Sequence, residues 1–517
     1  MLSTIKSIAL HGLDGYLIEV QVDVSAGMPY WEEVGLPDAS IKEAKERVRT
    51  AIKNSGYDFQ SRKIVVNLAP ADVRKEGTYF DLPIAIGILI NFGIIKIIDK
   101  DNNLREQNIA CIGELSLDGR INKVNGILPI CIEAKKLGIT KIIVPKENAM
   151  EGSIVEGIEI IGVSNLKETV QYLNKQKYIE CEKSNIKETL KKHKESDLDF
   201  ADVIGQENIK RALEVAAAGG HNCILIGNPG SGKTMMAKRI PSILPDLTFE
   251  ESLEVTKIYS IAGILPHDEP IITQRQYRAP HHTISKISMV GGGKIPKPGE
   301  ISLAHYGVLF LDELPEFTKE ILELLRVPLE DGKITISRLN ATLTYPCKFM
   351  FIASMNPCPC GYYGSKDKKC TCSPKAIQKY MGKISGPLLD RIDIQIEVPP
   401  IKYEKIEAND KIETSTQIKQ RVDKARNIQI NRYKSDCIFS NSELTPRLIK
   451  KYCKLNDKSK QLLKNAFERL GLSARAYNRI LKVARTIADL DEENNILEKH
   501  IAEAIQYRNL DRKYWKN

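Results

Sequence analysis

The sequence predicts an α/β protein with a helical C-terminal region, and three observations support this prediction. Between residue 1 and about residue 172, short apolar runs typical of strands alternate with stretches of helical periodicity. Between residues 200 and 400, strand-like runs end in glycine-rich turns that lead into helices. After Pro399 and Pro400 the pattern is helical to the end of the chain. The 517 residues are enough for about three domains.

The first part of the chain has the pattern of an α/β domain, with strands predicted at 16–24, 63–68 and 141–144 and helices at 40–55 and 128–138. The segment that follows is almost wholly polar and charged, as is typical of a linker. We therefore divide the chain into an N-terminal domain at 1–174, a charged linker at 175–199, an α/β core at 200–400 and a helical domain at 401–517.

The composition is that of an ordinary globular protein, with 42% hydrophobic and 27% charged residues. No uncharged apolar run approaches the roughly 20 residues of a membrane helix, and the best candidate, 82–95, is too short. The start of the sequence lacks the pattern of a secretory signal. A chain of this length does not need its 11 cysteines as disulfides. We therefore expect a cytoplasmic protein with no membrane partner.

The formal net charge of +10 comes entirely from the C-terminal end. Residues 401–517 contain 26 Lys or Arg and 16 Asp or Glu, whereas the first 400 residues are balanced. A basic surface of this kind favours a polyanion such as a nucleic acid, because binding releases counterions from the phosphate backbone. A solvated helical surface explains the charge equally well.

The most specific motif is a phosphate-binding loop between a strand at 223–226 and a helix. The loop consists of Gly227, Asn228, Pro229, Gly230, Ser231, Gly232, Lys233 and Thr234. Its glycines let backbone N–H groups point at phosphate oxygens, and the following helix adds the positive end of its dipole. Lys233 would reach the β- and γ-phosphates and Thr234 would coordinate Mg²⁺.

Two more apolar runs end in polar residues that complete a hydrolytic site. The run 308–311 leads into Asp312, expected to hold Mg²⁺, and Glu313, expected to be the general base for the attacking water. The run 349–355 leads into Asn356, whose amide can hold that water. The sequence therefore predicts hydrolysis of ATP.

Two arginines are candidates for contact with the γ-phosphate. Arg391 lies among acidic and apolar residues, where it either forms a local salt bridge or acts as an arginine finger on the ATP of a neighbouring subunit in a ring. Arg475 opens a predicted helix and could reach the phosphate from a lid.

Four cysteines fall within 15 residues: Cys358, Cys360, Cys370 and Cys372. Two C-x-C pairs joined by a loop rich in glycine and lysine can converge on one tetrahedral ion. Zinc is the expected ion because thiolates suit it, and a structural role is expected. Surface cysteines without a metal, and iron–sulfur ligation, are the alternatives.

The segments GNPGSGKT, VLFLDEL, FIASMN, LLDRID and LSARAYNRILKVARTIADL together resemble AAA+ ATPases, and more narrowly the magnesium-chelatase-like ComM/YifB family, over essentially the whole chain. The resemblance implies that Lys233 and Thr234 are Walker A, Asp312 and Glu313 Walker B, Asn356 sensor 1, Arg391 the arginine finger and Arg475 sensor 2. It also implies that the turn at Gly205 and Gln206 cradles adenine, that residues 401–517 form a lid, and that the chain works as a hexameric ring with ATP and Mg²⁺.

Asp331 and Gly332 are the pair expected in a tight hairpin turn. In this branch of AAA+ proteins a hairpin just before sensor 1 projects into the central pore. That resemblance makes Lys333 and Arg338 candidates for contact with DNA, although an ordinary exposed hairpin fits as well.

The N-terminal segments NLAPADVRKEGTYFDLPIAIGIL and IGELSLDGRINKVNGILPICIEAKKLGITKIIVP resemble the proteolytic domain of Lon-type proteases and the C-terminal domain of the RadA family. Lon-type proteolysis needs a nucleophilic Ser and a Lys that takes its proton. Aligned on the shared motifs, those positions hold Tyr79 and Ile130. We therefore expect a domain without protease activity that acts as a scaffold or faces DNA.

The function favoured by these features is an ATP-driven ring motor on single-stranded or branched DNA, most simply a branch-migration helicase that supports recombination or natural transformation. The basic C-terminal region and the family resemblance support it. Arg475, Arg479, Lys482 and Arg485 recur at spacings of 4, 3 and 3 that would align them on one helix face, which makes Arg479, Lys482 and Arg485 candidates for contact with DNA. An exposed lid surface with one sensor residue explains this spacing equally well. The alternatives are a chelatase-type assembly motor and an ATP-dependent protein remodeller that does not act on DNA.

Overall fold

The computed structural model describes residues 2 to 515 apart from 72–74, 76, 97–107, 184–197, 267–268, 294–295, 339–340, 366–367, 401–412, 437, 471–472, 509 and 511–513. The chain forms two compact units. The first consists of Met1–Lys192 and Ser252–Ile272, and the second of His193–Glu251 and Thr273–Asn517. The second unit therefore contains most of the predicted α/β core together with the predicted helical domain.

The first unit is built on a seven-stranded mixed sheet. Across the sheet the strands are Tyr30–Val34, Lys63–Ala69, Asp14–Ser25, Leu2–His11, Ile109–Cys111, Lys141–Pro145 and Glu159–Val163. A short pair, Glu114–Leu115 and Ile121–Asn122, adds a hairpin. The helices are Ala39–Lys42, Ala44–Asn54, Asp81–Asn91, Ile127–Lys136, Ala149–Gly152 and Leu166–Leu173. The strands and helices predicted in this part of the chain are confirmed within a few residues.

The burial of residues in the first unit explains why its strands and helices could be predicted from the sequence pattern. In Asp14–Ser25 every second residue from Ile18 onward is buried, because one face of the sheet packs on the core and the other is partly exposed. Helix Asp81–Asn91 is buried along almost its whole length, which is why its sequence is nearly all apolar.

The segment Ser252–Ile272 belongs to the first unit because of its polar contacts and its packing. The carbonyl of Ser260 accepts a hydrogen bond from the Gly126 N–H at 3.2 Å, and the Ser260 hydroxyl donates to the Glu151 carboxylate. Ile271 is part of the same apolar core as helix Ile127–Lys136. Nothing in the local sequence marks this excursion from the range 200–400.

The second unit is built on a parallel five-stranded sheet. Across the sheet the strands are Tyr277–Arg278, Val308–Leu311, Met350–Met355, Cys223–Gly227 and Ile394–Val398. All strands run the same way, so their carboxyl ends meet at one edge, where the loops after Gly227, Leu311 and Met355 begin. A parallel sheet covered on both faces explains the unbroken apolar runs of these strands.

Helices surround this sheet and form the C-terminal part of the chain. Those up to residue 389 are Glu207–Gly219, Lys233–Arg239, Lys286–Val290, Glu300–Leu303, Lys319–Leu324, Arg326–Asp331, Pro374–Met381 and Gly386–Leu389. Helix Phe249–Ala262 belongs to the first unit from Ser252 onward. The C-terminal helices are Ser415–Tyr433, Pro446–Tyr452, Asp457–Leu470, Ala474–Leu490 and Glu498–Gln506. They share one apolar core with helix Glu207–Gly219. The predicted helical character after residue 400 is confirmed for the described residues.

The hairpin before Asn356 is present, but its turn is not where we predicted it. Gly332, at φ +63°, ends helix Arg326–Asp331 as a left-handed cap, and the strands Lys333–Arg338 and Ala341–Pro346 follow. The Asp-Gly pair was therefore interpreted wrongly, because a left-handed glycine suits a helix C-terminus as well as a hairpin. Lys333 is exposed at the base of the hairpin, whereas the Arg338 side chain lies outside the described residues.

Two other short strands, Gly291–Gly292 and Lys297–Pro298, form a separate antiparallel pair. In the described part of the chain, no helix combines the length and the apolar character needed to cross a membrane.

Candidate functional site

The phosphate-binding loop joins the end of strand Cys223–Gly227 to helix Lys233–Arg239. Gly230 and Gly232 adopt left-handed φ values of +76° and +86°, which other residues rarely adopt. A Cβ at Gly227 would lie 2.4 Å from the carbonyl oxygen of Val398. The glycines of the motif are therefore required by backbone conformation at two positions and by close backbone approach at the third.

Lys233 is held inside this loop. Its Nζ donates to the carbonyl oxygens of Gly227 and Asn228, both at 2.8 Å, and to Asn356 Oδ1 at 3.2 Å. Burial lowers the pKa of Lys233, and the nearby carboxylates of Asp312 and Glu313 oppose this shift. The predicted Walker A lysine and sensor 1 asparagine are thus brought into direct contact.

Asp312 lies beside the loop at the end of strand Val308–Leu311. Its Oδ2 accepts a hydrogen bond from Thr234 Oγ1 at 2.7 Å, and its Oδ1 accepts from the Ser354 hydroxyl. A carboxylate and a hydroxyl at this distance are oxygen ligands of the kind that Mg²⁺ prefers. The residues present therefore fit a magnesium ion.

Glu313 has an unusual backbone. Its φ of +52° is left-handed, and its N–H donates to Asp312 Oδ1 at 3.0 Å. A non-glycine residue in this conformation costs on the order of 1 kcal/mol and is most often found at functional sites. The side chain is exposed at the carboxyl edge of the sheet, next to Asp312.

The turn at Gly205 and Gln206 lies against the phosphate-binding loop. Both residues have left-handed φ values, and Gln206 Nε2 donates to the carbonyl of Ser231 at 3.1 Å and of Pro399 at 3.3 Å. Gln206 Oε1 and Ser231 Oγ are buried with no hydrogen-bond partner among the described residues. Buried polar atoms normally have partners, so these two fit a site that a nucleotide completes.

Two residues of the site were missed by the sequence analysis. Ser354 is buried in strand Met350–Met355 and hydrogen-bonds Asp312. Tyr277 lies two strands away, its ring stacked on Phe310 with centroids 5.9 Å apart. Burial raises the pKa of the Tyr277 hydroxyl, and the charge of Asp312 adds to the effect. A serine in an otherwise apolar buried strand was a usable signal, whereas nothing in the sequence marks Tyr277.

Arg391 forms a local network in the single chain. Its Nη2 pairs with the Glu330 carboxylate, its Nε donates to the carbonyl of Arg326 at 3.1 Å, and its Nη1 donates to that of Pro387 at 2.6 Å. The side chain is 11% exposed. The local salt bridge considered for Arg391 is therefore present, and its role as a finger toward a neighbouring subunit stays a prediction.

Arg475 and Arg479 both reach carboxylates that flank Arg391. Arg475 Nη1 lies 3.4 Å from Asp390 Oδ2, and its side chain is 64% exposed. Arg479 pairs with the buried Asp393. Burial opposes ionisation of Asp393, but Arg479, His221 and Lys482 together outweigh it and hold the pKa of Asp393 far below its usual range. Helix Ala474–Leu490 is thus attached to the segment 388–393, which we call the finger segment.

The remaining DNA candidates on this helix need correction. Arg485 is 2% exposed, and its guanidinium bonds Asp489 Oδ1 at 3.1 Å and the carbonyl of Asn494 at 2.8 Å. The prediction that Arg485 contacts DNA is therefore wrong, because its guanidinium is buried and bonded to these partners inside the core. Lys482 donates to the carbonyl of Ser442 at 2.7 Å, and burial lowers its pKa. The four cations do not form one exposed face.

The four cysteines converge as predicted from their spacing. Their Sγ atoms all lie within 4.8 Å of one another. The Sγ–Sγ distances from Cys370 are 3.7 Å to Cys358 and 3.6 Å to Cys360. A tetrahedral zinc ion with bonds of about 2.3 Å has sulfur–sulfur edges of about 3.8 Å. The donor set fits zinc.

The loop that carries this cysteine cluster packs on the phosphate-binding loop. Asn228 Nδ2 donates to Ser365 Oγ at 3.1 Å. A Cβ at Gly361 would lie 2.5 Å from Cδ of Pro229. Two residues of the phosphate-binding loop are therefore in contact with the cysteine loop, a connection that sequence spacing did not predict.

In the first unit, the positions compared with the protease dyad hold side chains without that chemistry. Ile130 is buried in helix Ile127–Lys136, and Tyr79 is half-buried before helix Asp81–Asn91. Arg47 Nε donates to Asp81 Oδ2 at 2.7 Å, and burial raises the pKa of Asp81 to about 6 against the effect of this partner. This pair, in which Asp81 is buried and Arg47 partly exposed, links helix Ala44–Asn54 to helix Asp81–Asn91.

Three family models match the chain. The model described as magnesium chelatase, subunit ChlI, matches residues 199–406. The model described as subunit ChlI of Mg-chelatase matches residues 20–148, and the one described as magnesium chelatase, subunit ChlI C-terminal, matches residues 412–508. Together they match parts of both units.

Individual relatives extend over nearly the full length. Competence protein ComM of Haemophilus influenzae is 42% identical over 511 residues, covering 98% of this chain and 97% of that protein. YifB of Escherichia coli is 43% identical over 514 residues, covering 99% and 98%. Lon protease 2 of Bacillus subtilis is 29% identical over 184 residues, which is 32% of each chain.

The nucleotide site and these full-length similarities lead to the same conclusion. The phosphate-binding loop, Asp312 with its hydroxyl neighbours, and Asn356 meet at one edge of a parallel sheet. The family implies ATP and Mg²⁺ as cofactors, and the residues present fit both. The chain therefore belongs to the ComM/YifB family of magnesium-chelatase-like AAA+ ATPases.

Proposed function

We propose that this ATPase is a ring-forming motor that acts on single-stranded or branched DNA in the cytoplasm, as a branch-migration helicase in recombination or natural transformation. The observation that carries the proposal is the surplus of ten positive charges confined to residues 401–517, in the unit that holds the nucleotide site. The full-length similarity to a protein named competence protein ComM supports the biological setting.

Hydrolysis follows from the geometry of the chain's own residues. Lys233 exchanges its loop carbonyl partners for phosphate oxygens when ATP enters, because its ammonium group already lies inside the loop. Glu313 takes the proton of the attacking water, and Asn356 positions that water from the next strand of the sheet. Thr234 and Asp312 hold Mg²⁺, which when bound neutralises charge on the β- and γ-phosphates.

The proposed ring gives a role to Arg391 and Arg475, the two arginines predicted to contact the γ-phosphate. In a homo-hexamer, Arg391 acts on the ATP of the neighbouring subunit, while Arg475 reports on the γ-phosphate of its own subunit. Arg475 is exposed and held by one contact at 3.4 Å, so it is free to change partner at little cost.

Zinc completes the proposed set of cofactors. Cys358, Cys360, Cys370 and Cys372 hold it in a structural site, because all four positions are taken by protein sulfur. Elemental analysis of protein purified without chelators tests this, and about one equivalent is expected. Less than about half an equivalent would contradict the zinc assignment.

A strand-displacement assay on duplex, forked and four-way-junction DNA tests the motor. Wild-type protein with ATP should separate or migrate the branched substrates, and DNA should raise the ATPase rate. The variant Lys233→Ala is the control and should do neither. An ATPase rate indifferent to every nucleic acid would remove DNA from the proposal and favour the protein remodeller. Stimulation by a porphyrin chelatase would favour the chelatase-type motor.

A further inference from the structure

The surplus positive charge of the C-terminal region is not spread evenly over its surface. Many of its described cations are buried or paired with carboxylates, among them Lys419, Arg421, Lys424, Arg426, Arg432, Arg479, Arg485 and Lys499. Arg421, for example, forms salt bridges with both Glu214 and Glu413. The buried ones among them, such as Arg485, stabilise the helical packing of the second unit and are unavailable to a polyanion.

The exposed cations concentrate in residues 446–464, the helix Pro446–Tyr452 and the start of the helix Asp457–Leu470. This stretch has seven Lys or Arg and one Asp. Arg447, Lys450, Lys454 and Lys458 are exposed and have no ion pair among the residues that the structure describes. The stretch thus carries more than half of the region's surplus charge.

Three of these cations surround one feature of the surface. Pro446, Arg447, Lys450 and Lys451 line an open depression of about 540 Å³. The spacing of Arg447, Lys450 and Lys451 places them on one face of a helix. Lys451 is 53% exposed, pairs with Asp436 Oδ2 at 3.0 Å and lies 4.5 Å from the ring centroid of Tyr452.

The depression is attached to a rigid base. Leu448 and Ile449, between the cations of the same helix, are buried in the core of the second unit. The Thr445 side chain caps the helix by accepting from the Leu448 N–H at 3.4 Å. Cations presented by a fixed backbone lose less freedom on binding than cations on a loop.

We propose that Arg447, Lys450 and Lys451, with Lys454 and Lys458 beside them, form a basic patch that binds the phosphate backbone of DNA. The inference rests on the proposed DNA motor and assigns part of its DNA contact to the helix Pro446–Tyr452 instead of Ala474–Leu490. Contacts of lysine and arginine with phosphates position a strand without selecting its sequence. The patch is therefore expected to bind DNA of any sequence.

Charge reversal tests the basic patch. The double variant Arg447→Glu/Lys450→Glu should bind labelled single-stranded and four-way-junction DNA at least tenfold more weakly than wild type, as measured by fluorescence anisotropy. Each lost phosphate contact should also lower the slope of log affinity against log salt by about one. The neutral double variant Arg447→Gln/Lys450→Gln should show a smaller loss in the same direction. Basal ATPase activity without DNA and the melting temperature should stay at wild-type values.

A matched control is the double variant Lys53→Glu/Lys135→Glu. Both lysines are exposed on helices of the first unit, and their reversal changes the net charge equally. DNA affinity of this variant should remain within about twofold of wild type at fixed salt.

The outcomes separate the patch from the motor itself. If wild-type protein binds DNA and the patch variants bind it equally well, the basic patch is not the DNA contact, and the proposed DNA motor is unaffected. An equal loss in the control variant would also overturn the patch, because net charge alone would then explain binding. If patch variants lose only binding to vesicles of anionic lipid, the patch faces a membrane surface and the inference fails. If wild-type protein binds no DNA, both proposals fail.

Discussion

The Asp312 carboxylate is held by three hydrogen-bond donors. The hydroxyls of Thr234 and Ser354 and the N–H of Glu313 all donate to its carboxylate. Hydrogen bonds from the next layer of residues orient metal ligands and commonly affect metal affinity by 10- to 100-fold. Ser354 therefore positions Asp312, although it is not itself expected to touch the nucleotide.

Ser354→Ala is expected to raise the Mg²⁺ concentration that gives half-maximal ATPase activity by about tenfold, with a smaller effect on the maximal rate. The reason is that Asp312 loses the hydrogen bond that orients one of its oxygens. A Mg²⁺ titration of ATPase activity measures this shift. Ser354→Thr retains the hydroxyl and should restore part of the affinity. A wild-type Mg²⁺ dependence in Ser354→Ala would contradict the positioning role.

Variants of Lys233 and Glu313 are expected to affect different steps, ATP binding in the first case and ATP hydrolysis in the second. Lys233→Ala should abolish detectable binding of a fluorescent ATP analogue, because the loop loses the cation that pairs with the phosphates. Glu313→Gln should bind it normally and hydrolyse ATP at least 100-fold more slowly, since the general base is removed. Normal turnover by Glu313→Gln would show that another group takes the proton.

The residues of the site differ in how far sequence could identify them. Lys233, Thr234, Asp312 and Asn356 follow strands at fixed motif spacings, and the structure brings them together. Arg485 has the same helical spacing as exposed cations, but its partners include the carbonyls of Glu493 and Asn494, which periodicity cannot reveal. The chemistry of a motif was therefore predictable, whereas the pairing of individual cations was not.

At the scale of elements, the strand ends that build the site were predictable and the contacts between loops were not. A run of four to six apolar residues followed by a polar one predicts a strand of a covered parallel sheet with its functional residue at the carboxyl end. The contact of the cysteine loop with Asn228 and Pro229 depends on tertiary packing between segments more than 100 residues apart. That contact predicts an effect of the cysteine cluster on nucleotide binding.

Loss of metal from the cysteine cluster is expected to weaken ATP binding by about fivefold, equivalent to one hydrogen bond of about 1 kcal/mol. The ion is expected to make the cysteine loop stiffer, so that its loss weakens the hydrogen bond between Ser365 and Asn228. Cys370→Ser should show the loss, measured as zinc content and as the dissociation constant of a fluorescent ATP analogue. Cys181→Ser, in the first unit and outside the cluster, should retain both. Wild-type nucleotide affinity in zinc-free Cys370→Ser would show that the two loops are independent.

The attachment of helix Ala474–Leu490 to the finger segment is expected to matter for stability. Arg479→Ala leaves the buried carboxylate of Asp393 without its strongest partner, and breaking a buried pair in this way costs about 3–5 kcal/mol. Chemical denaturation should show that loss in the second unit. Arg475→Ala, whose side chain is exposed, is the matched control and should change stability by less than about 0.5 kcal/mol. Equal stability of both variants would contradict the role of the Arg479 pair.

At the scale of the whole molecule, the two units are not two uninterrupted stretches of sequence. Ser252–Ile272 leaves the second unit, packs with the first and returns, so the chain passes between the units three times. Single-chain reasoning places a boundary at a polar linker, because loss of apolar periodicity is visible there. An apolar helix that packs in a different unit has the same periodicity as its neighbours and gives no such signal.

The proposed ring predicts complementation between two inactive variants. Arg391→Ala retains the phosphate-binding loop, and Lys233→Ala retains Arg391. If the finger acts between subunits, about a quarter of the interfaces in a random equal mixture pair an intact loop with an intact finger. ATPase activity should therefore reappear on mixing and co-assembly, to about that fraction of the wild-type rate. No recovery in mixed oligomers confirmed by mass would exclude action between subunits.

Arg391 lies between two carboxylates that form salt bridges with helix Ala474–Leu490. Asp390 pairs with Arg475, and Asp393 pairs with Arg479. The pair of Arg475 with Asp390 is exposed and easily broken, whereas the pair of Arg479 with Asp393 includes a buried carboxylate and is stable. A movement of that helix about the buried Arg479–Asp393 pair would therefore tilt Arg391, the proposed finger. In the proposed ring, the ease with which Arg475 leaves Asp390 would then influence how nucleotide binding at one site affects the next.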